Sequence, residues 1–76
     1  MKTMPMTDYD LKNTIKVERA KRNMTQAELA MNVGVSRKTI NTIETGKFIP
    51  STITAFRIAE AFGLKPHQIF ELIEIN

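Results

Sequence analysis

Residues 26–43 read QAELAMNVGVSRKTINTI, and this stretch decides the fold. Apolar residues recur at helical spacing on both sides of Gly34, a residue type that commonly ends helices. They are Leu29, Ala30, Val33, Val35, Ile40 and Ile43. The pattern predicts two short helices that pack against each other across the glycine turn, and Ala30 is small enough for the close crossing that this requires.

Both predicted helices carry their own start signals. Thr25 and Glu28 have the spacing of a capping box, in which each side chain accepts a hydrogen bond from the other residue's backbone N–H. Ser36 is a favourable cap for the next helix, which ends before Gly46. The sequence therefore predicts helix 2 over residues 26–33 and helix 3 directly after Ser36.

The chain before this stretch predicts one further helix. Leu11 and Ile15 lie four residues apart, which indicates a helix from about residue 10 to residue 22. Asn23 follows it and tolerates the left-handed backbone that often ends a helix. The polar start of the chain predicts a flexible N-terminal tail over residues 1–9.

Two more helices are predicted after the stretch. Ser51 caps helix 4 and Gly63 ends it. The residues expected along its apolar stripe are Ile53, Phe56, Ala59 and Phe62, with Ile58 on the flank. Pro66 suits the first position of helix 5, and Ile69 and Phe70 are expected to point inward from it.

These elements predict an all-α domain, a compact bundle of five helices over residues 10–70. A chain of 76 residues has room for one such domain and no more. The last residues, 71–76, form a separate tail, and the alternation from Phe70 to Ile75 is readable equally as helix or strand.

The composition excludes several classes of protein. With no cysteine the chain has neither disulfides nor thiolate metal sites, and no apolar run approaches the about 20 residues that cross a bilayer. His67 has no second ligand nearby, and Glu71 and Glu74 lack a pocket for acid–base work. We therefore expect a soluble cytoplasmic protein that is not an enzyme, with no metal, no cofactor, no membrane partner and no small-molecule ligand.

Charge is distributed unevenly along the chain. Residues 1–47 carry nine Lys and Arg against five Asp and Glu, a net +4, whereas residues 48–76 carry two against three, a net −1. A basic half favours a polyanionic partner.

The outer face of helix 3 is the strongest candidate binding surface. It comprises Arg37, Lys38, Thr39, Asn41 and Thr42, all able to hydrogen-bond and none acidic. Such side chains suit a DNA major groove, where arginine or lysine reads guanine, asparagine reads adenine and a threonine methyl meets thymine.

The chain resembles the lambda-repressor and Cro type of helix-turn-helix protein, often called the XRE family. The matching positions are Thr25-Gln26-x-Glu28-Leu29-Ala30, Gly34-Val35-Ser36, Thr39-Ile40, Ile43-Glu44-x-Gly46-Lys47, Pro50-Ser51 and Ala59-x-x-Phe62. The match covers roughly Leu11 to Phe70, and so many positions in fixed register make it a specific signal.

The resemblance implies that helix 3 lies in the major groove of a double-stranded DNA operator, with helix 2 bridging the backbone. The residues it implies for reading bases are Arg37, Lys38, Asn41 and Thr42. Those it implies for contacting phosphates are Thr25, Gln26, Ser36, Thr39, Thr45 and Lys47.

Two opposite charges are expected to meet inside the domain. Arg19 follows Leu11 and Ile15 at four-residue spacing on helix 1, and Glu44 follows Ile40 in the same way on helix 3. An unpaired buried charge costs several kcal/mol, so we predict a structural ion pair between Arg19 and Glu44, and the family resemblance supports it.

The C-terminal tail predicts a homodimer. Its apolar residues exceed what a five-helix domain covers with its own surface, and such patches usually mark interfaces. We expect Leu72, Ile73 and Ile75 to form this interface. A dimer suits DNA binding, because paired reading heads bind half-sites one helical turn apart.

The function predicted is that of a transcriptional regulator, expected to be a repressor, which binds a palindromic operator as a homodimer. The alternative is a protein-interaction adaptor or antitoxin that mainly binds a partner protein. The polar, acid-free outer face of helix 3 favours the first, since an adaptor is expected to show apolar anchors there.

Overall fold

The computed structural model describes residues 8–75. Within them the chain forms four α-helices, one 3-10 turn and a two-stranded sheet. In chain order these are β1 (Tyr9–Asn13), α1 (Ile15–Lys21), α2 (Gln26–Val33), α3 (Arg37–Glu44), α4 (Thr52–Phe62), the 3-10 turn (Pro66–Gln68) and β2 (Phe70–Glu74). No helix in this range has the length and apolarity that crossing a membrane requires.

The two ends of the domain pair as an antiparallel sheet, which corrects the all-α prediction. Leu11 lies opposite Leu72, and Asn13 lies opposite Phe70. Helix 1 therefore does not begin near residue 10. The four-residue spacing of Leu11 and Ile15 looks helical locally, but the strand is stabilised by a partner about sixty residues away, which local spacing does not reveal.

Asn13 marks the change from strand to helix. Its side-chain oxygen accepts from the Ile15 N–H (3.1 Å), and its side-chain nitrogen donates to the Ile43 carbonyl (3.0 Å). The first bond helps to start α1, while the second fastens this corner to the end of α3. At the other end of α1, Asn23 adopts the left-handed backbone predicted for it, with φ of 52°.

The C-terminal segment, for which the sequence allowed helix or strand, forms strand β2 over Phe70–Glu74. The Ile75 N–H also donates to the Asp8 carbonyl (3.0 Å), so the pairing continues beyond β2. Of the flexible tail predicted over residues 1–9, residues 1–7 lie outside the described residues, and Tyr9 already belongs to β1.

The predicted fifth helix is replaced by a single 3-10 turn. The Ile69 N–H donates to the Pro66 carbonyl (3.0 Å), and the chain then leaves directly for β2. The Ile69 carbonyl accepts from the Thr14 N–H (3.0 Å). Because that carbonyl is held by the start of α1, the turn leads into the sheet and does not propagate as a helix.

The core lies between the four helices and the 3-10 turn. Its buried residues are Ile15, Leu29, Ala30, Val33, Ile40, Ile43, Ile58, Ala59, Phe62 and Ile69. The apolar stripe predicted for α4 is half wrong. Ala59 and Phe62 are buried as predicted, but Ile53 and Phe56 are 73% and 58% exposed. Ile58, which was expected on the flank of the stripe, is fully buried. Only the second half of α4 covers the core, so its first half presents apolar side chains to the outside.

Candidate nucleic-acid interface

The turn between α2 and α3 sets the angle at which α3 is presented. Gly34 adopts a left-handed backbone with φ of 87°, a conformation that side-chain-bearing residues rarely adopt. The Ala30 carbonyl accepts from the N–H of Gly34 (2.8 Å) and from that of Val35 (3.1 Å), which closes the end of α2. Ser36 then starts α3 by accepting from the Thr39 N–H (3.1 Å).

The predicted capping box at the start of α2 is present. The Thr25 hydroxyl accepts from the Glu28 N–H (3.0 Å), and the Glu28 carboxylate accepts from the Thr25 N–H (2.9 Å). The bond from the Thr25 backbone to the ionised carboxylate lowers the pKa of Glu28 below its ordinary value. The reciprocal bonds fix the first turn of α2, which carries Gln26.

Arg19 and Glu44 form a two-pronged ion pair. Arg19 Nη2 lies 2.8 Å from Glu44 Oε1, and Arg19 Nε donates to Glu44 Oε2 at 2.9 Å. The side chains are 15% and 6% exposed, and the hydrogen bonds to Glu44 raise the pKa of Arg19. Arg19 Nη1 also donates to the Met24 carbonyl (2.9 Å), so one guanidinium links α1, the start of α2 and the end of α3. Leu11 belongs to β1 and not to a helix, so only the four-residue spacing from Ile15 to Arg19 lies within α1.

Gln26 joins the side chains of the outer face of α3, defined as Arg37, Lys38, Thr39, Asn41 and Thr42. Arg37 Nη1 donates to Gln26 Oε1 (3.2 Å), and Gln26 Nε2 donates to Asn41 Oδ1 (3.1 Å). One amide from α2 thus holds two side chains of α3 together. Only the Asn41 oxygen takes part in the bond with Gln26. Among the described residues the Asn41 amide nitrogen donates to no group, so its two N–H groups remain for a ligand.

The threonine hydroxyls of α3 and its C-terminal end bond to the helix itself. Thr42 Oγ1 donates to the Thr39 carbonyl (2.9 Å), and Thr45 Oγ1 donates to the Asn41 carbonyl (2.8 Å). The Thr39 hydroxyl lies 2.9 Å from that of Ser36. The hydroxyl hydrogens of Thr42 and Thr45 are therefore engaged, so these side chains still offer a ligand an acceptor oxygen and a methyl group.

The residues that follow α3, Lys47 and Phe48, are hydrogen-bonded to the last turn of that helix. The backbone N–H groups of Lys47 and Phe48 both donate to the Thr42 carbonyl, at 2.9 Å and 3.1 Å. An open cavity of about 350 Å³ lies beside them, and its walls are Lys38, Thr39, Thr42, Lys47 and Phe48. We call this cavity the α3 notch.

Phe48 is a residue of this surface that the sequence analysis missed. It lies between the predicted helices 3 and 4, where no role was predicted for it, yet its side chain is 53% exposed and lines the α3 notch. The signal that could have found it is an aromatic residue directly after Lys47, at a position where the chain has left the core-facing pattern of α3.

The electrostatics of this side favour an anion. Arg37, Lys38 and Lys47 are all exposed, and the acidic Glu44 on α3 is paired with Arg19. The predicted base-reading residues thus share one face of α3. Of the predicted phosphate contacts, Thr25 and Gln26 start α2, Ser36 and Thr39 start α3, and Thr45 and Lys47 follow its end.

A second exposed surface is apolar. Phe56 from α4 and Leu72 from β2 line a groove of about 340 Å³, and Ile53 lies one turn before Phe56 on α4. We call Ile53, Phe56 and Leu72 the α4–β2 surface. Of the residues predicted for a dimer interface, Leu72 is 66% and Ile75 62% exposed, whereas Ile73 is half-buried.

Comparison with known proteins gives a consistent picture. The helix-turn-helix family profile matches residues 15–69. An uncharacterized HTH-type transcriptional regulator of Methanocaldococcus jannaschii is 52% identical over 60 residues, covering 79% of this chain and 91% of the relative. The uncharacterized HTH-type transcriptional regulator YgzD of Bacillus subtilis is 39% identical over 66 residues, covering 87% of this chain and 100% of the relative. The solution structure of the SOS-response transcriptional repressor LexA from Eubacterium rectale superposes with a TM-score of 0.70 at 31% identity, covering 82% of this chain and 66% of that one.

Proposed function

This chain belongs to the helix-turn-helix family, and from that premise we propose that it is a repressor that binds a palindromic DNA operator as a homodimer. The observation that carries the proposal is the outer face of α3, which holds cationic and amide side chains and no acid. A helix of this size fits the major groove, and its side chains meet the base edges there.

The hydrogen-bonded group of Gln26, Arg37 and Asn41 supports base reading over simple charge attraction. Ordering long side chains at an interface costs about 0.5–1.5 kcal/mol each. Bonds from Gln26 to both partners restrict these side chains before DNA arrives, so less freedom is lost on binding. We propose that Arg37 and Lys38 read guanine, that Asn41 reads adenine and that Thr42 offers its methyl group.

Phosphate contacts are assigned to groups at both ends of the helix pair. We propose that Thr25, Gln26, Ser36 and Thr39 contact phosphates from the starts of α2 and α3, where backbone N–H groups also point outward. Lys47 and Thr45 approach the backbone from the end of α3. Such contacts fix the register of the protein on the duplex and make its binding salt-dependent.

The homodimer is assigned to the apolar side of the molecule. We propose that a second copy covers the α4–β2 surface, with Leu72 as the contact from β2. Ile73 and Ile75 alternate with Leu72 along the paired strand, so they face the other side of the sheet and are not expected in this contact. The residues around the groove include no Lys, Arg, Asp or Glu, which suits a two-fold contact, because each charge near the axis meets its own copy. Side chains of this size, each more than half exposed, present on the order of several hundred Å² of apolar area, the upper range for a monomeric protein.

The alternative, an adaptor or antitoxin, draws support only from that apolar surface. Its large side chains lie on α4 and β2, whereas the outer face of α3 carries polar ones. An adaptor that used the helix-turn-helix itself for protein contacts is expected to show apolar anchors on α3.

The test is selection of bound duplexes from a random pool with the full chain. A palindromic consensus of two half-sites is the expected result. Enrichment of a single half-site would remove the homodimer from the proposal. If no sequence is enriched, and if Asn41→Ala gives the same unenriched pool as the wild type, sequence-specific binding is overturned altogether.

A further inference from the structure

We infer that the α3 notch is a receptor for one thymine of each operator half-site and that Phe48 determines this preference. The inference deepens the proposed function and rests on it. The notch lies beside the outer face of α3, and its walls combine an aromatic ring, two threonines and two lysines.

The threonines of the notch have their hydroxyl groups hydrogen-bonded within the protein. The Thr42 hydroxyl hydrogen is donated to the Thr39 carbonyl, and the Thr39 hydroxyl is bonded to that of Ser36. Among the bases, thymine is the one that presents a methyl group in the major groove. Threonine methyls beside an aromatic ring form an apolar wall that fits this C5-methyl group, because contact removes apolar surface from water.

The two lysines of the notch give it a positive charge. Thymine also presents its O4 acceptor beside the methyl group, whereas cytosine presents an amino donor at the corresponding position. Lys38 and Lys47 also line the notch, and the residues that line it include no carboxylate. Their positive charge favours the O4 acceptor over an amino donor even while Lys38 contacts a guanine and Lys47 a phosphate, so this charged rim and the apolar wall select the same base.

Phe48 combines a fixed backbone with an exposed side chain. The N–H groups of Lys47 and Phe48 both donate to the Thr42 carbonyl, which fixes the backbone at this point. The Phe48 side chain remains exposed. These bonds keep Phe48 next to the outer face of α3. No core contact explains its position there, since Phe48 is not among the side chains that form the core or pack against it.

The experiment uses the operator obtained by selection and replaces its thymines singly with deoxyuridine, which lacks only the C5-methyl group. At one thymine of each half-site the wild-type protein is expected to lose about fourfold in affinity per methyl removed. Phe48→Ala is expected to bind the thymine and deoxyuridine duplexes equally, and Phe48→Leu to retain part of the difference. Val17→Ala, which shortens another exposed apolar side chain, is the matched control and should behave as the wild type.

A third duplex separates the wall from the rim. 5-Methylcytosine at the same position keeps the methyl group and replaces O4 with an amino group, so it should bind more weakly than thymine. Specific binding without any deoxyuridine effect would overturn the inference alone, as would a deoxyuridine effect that survives in Phe48→Ala. Failure to select any operator would overturn the proposed function, and this inference with it.

Discussion

The outer face of α3 and the α4–β2 surface are both exposed, yet they differ in how their side chains are held. On the outer face, Gln26 bonds to Arg37 and Asn41, so the polar groups restrain one another. The α4–β2 surface presents large apolar side chains around an open groove. One surface is restrained before it binds, whereas the other gains stability only when something removes it from water.

The difference separates two properties of a DNA regulator. Restrained donors set which sequence is bound, because a wrong base leaves them without partners. An apolar surface has no such selectivity, but burying it joins two copies and raises the effective concentration of the second reading head. We therefore expect substitutions on the outer face to change sequence preference and those on the α4–β2 surface to change assembly.

The largest effect is expected from a charge on the apolar surface. In the proposed dimer, Leu72→Glu brings two carboxylates together across the two-fold axis, so we expect that dimer to dissociate. Affinity for a two-half-site operator should fall by about 100-fold or more, because the linked second head is lost, while affinity for a single half-site should change little. Light scattering and titration against both duplexes measure the two quantities.

Two further variants sharpen this test. Ile53→Glu changes the same surface on α4, so it should reproduce the effect without touching the sheet. Val17→Glu introduces the same charge at an exposed apolar residue of α1 and should leave the dimer intact. A Leu72→Glu protein that remains a dimer at micromolar concentration would place the interface elsewhere.

The next effect is expected from breaking the ion pair between Arg19 and Glu44, which joins α1 to the end of α3. Arg19→Met leaves the Glu44 carboxylate, 6% exposed, without its partner. We expect the free energy of unfolding to fall by about 3 kcal/mol, the lower end for a broken buried pair because Arg19 reaches the surface. Urea denaturation of Arg19→Met, Glu44→Gln and the double variant measures the coupling, and strictly additive losses would contradict it.

The sequence predicted the centre of this fold better than its ends. The capping box at Thr25, the glycine at residue 34 and the cap at Ser36 act within a few residues, so their local spacing is sufficient. The observed bounds of α2 and α3 follow those signals closely. The resemblance to a family rests on the same residues, and the family assignment is confirmed.

The ends were predicted wrongly because their structure depends on distant partners. Residues 9–13 became a strand by pairing with residues 70–74, and that pairing also shortened the predicted fifth helix to one turn. Ile53 and Phe56 have the spacing of a buried stripe, but spacing does not show where the core ends. The network around Gln26 was likewise beyond the sequence, since it depends on side-chain contacts between two helices.

A smaller effect is expected on the outer face. Asn41→Ala removes a side chain that Gln26 holds and whose amide donors remain for a base. Specific affinity should fall by about 1–3 kcal/mol, while affinity for random DNA should change little. Asn32→Ala removes an exposed asparagine of α2 as the matched control. Equal losses on operator and random DNA would exclude base reading by Asn41.

The smallest effect tests the capping box that supports Gln26. The folded-state pKa of Glu28 is lowered by the bond from the Thr25 N–H, so its carboxylate contributes stability above its ordinary pKa of about 4.5. That contribution is lost as the pH falls through the lower folded-state pKa. Glu28→Gln keeps a capping side chain but cannot titrate, so its unfolding free energy should fall less than that of the wild type between pH 6 and about pH 3. Denaturant titrations of both proteins across this range decide it, because the other carboxyl groups are common to both. Parallel profiles would show that the Glu28 carboxylate gains nothing from Thr25, and that this side of the molecule is held less firmly than its hydrogen bonds indicate.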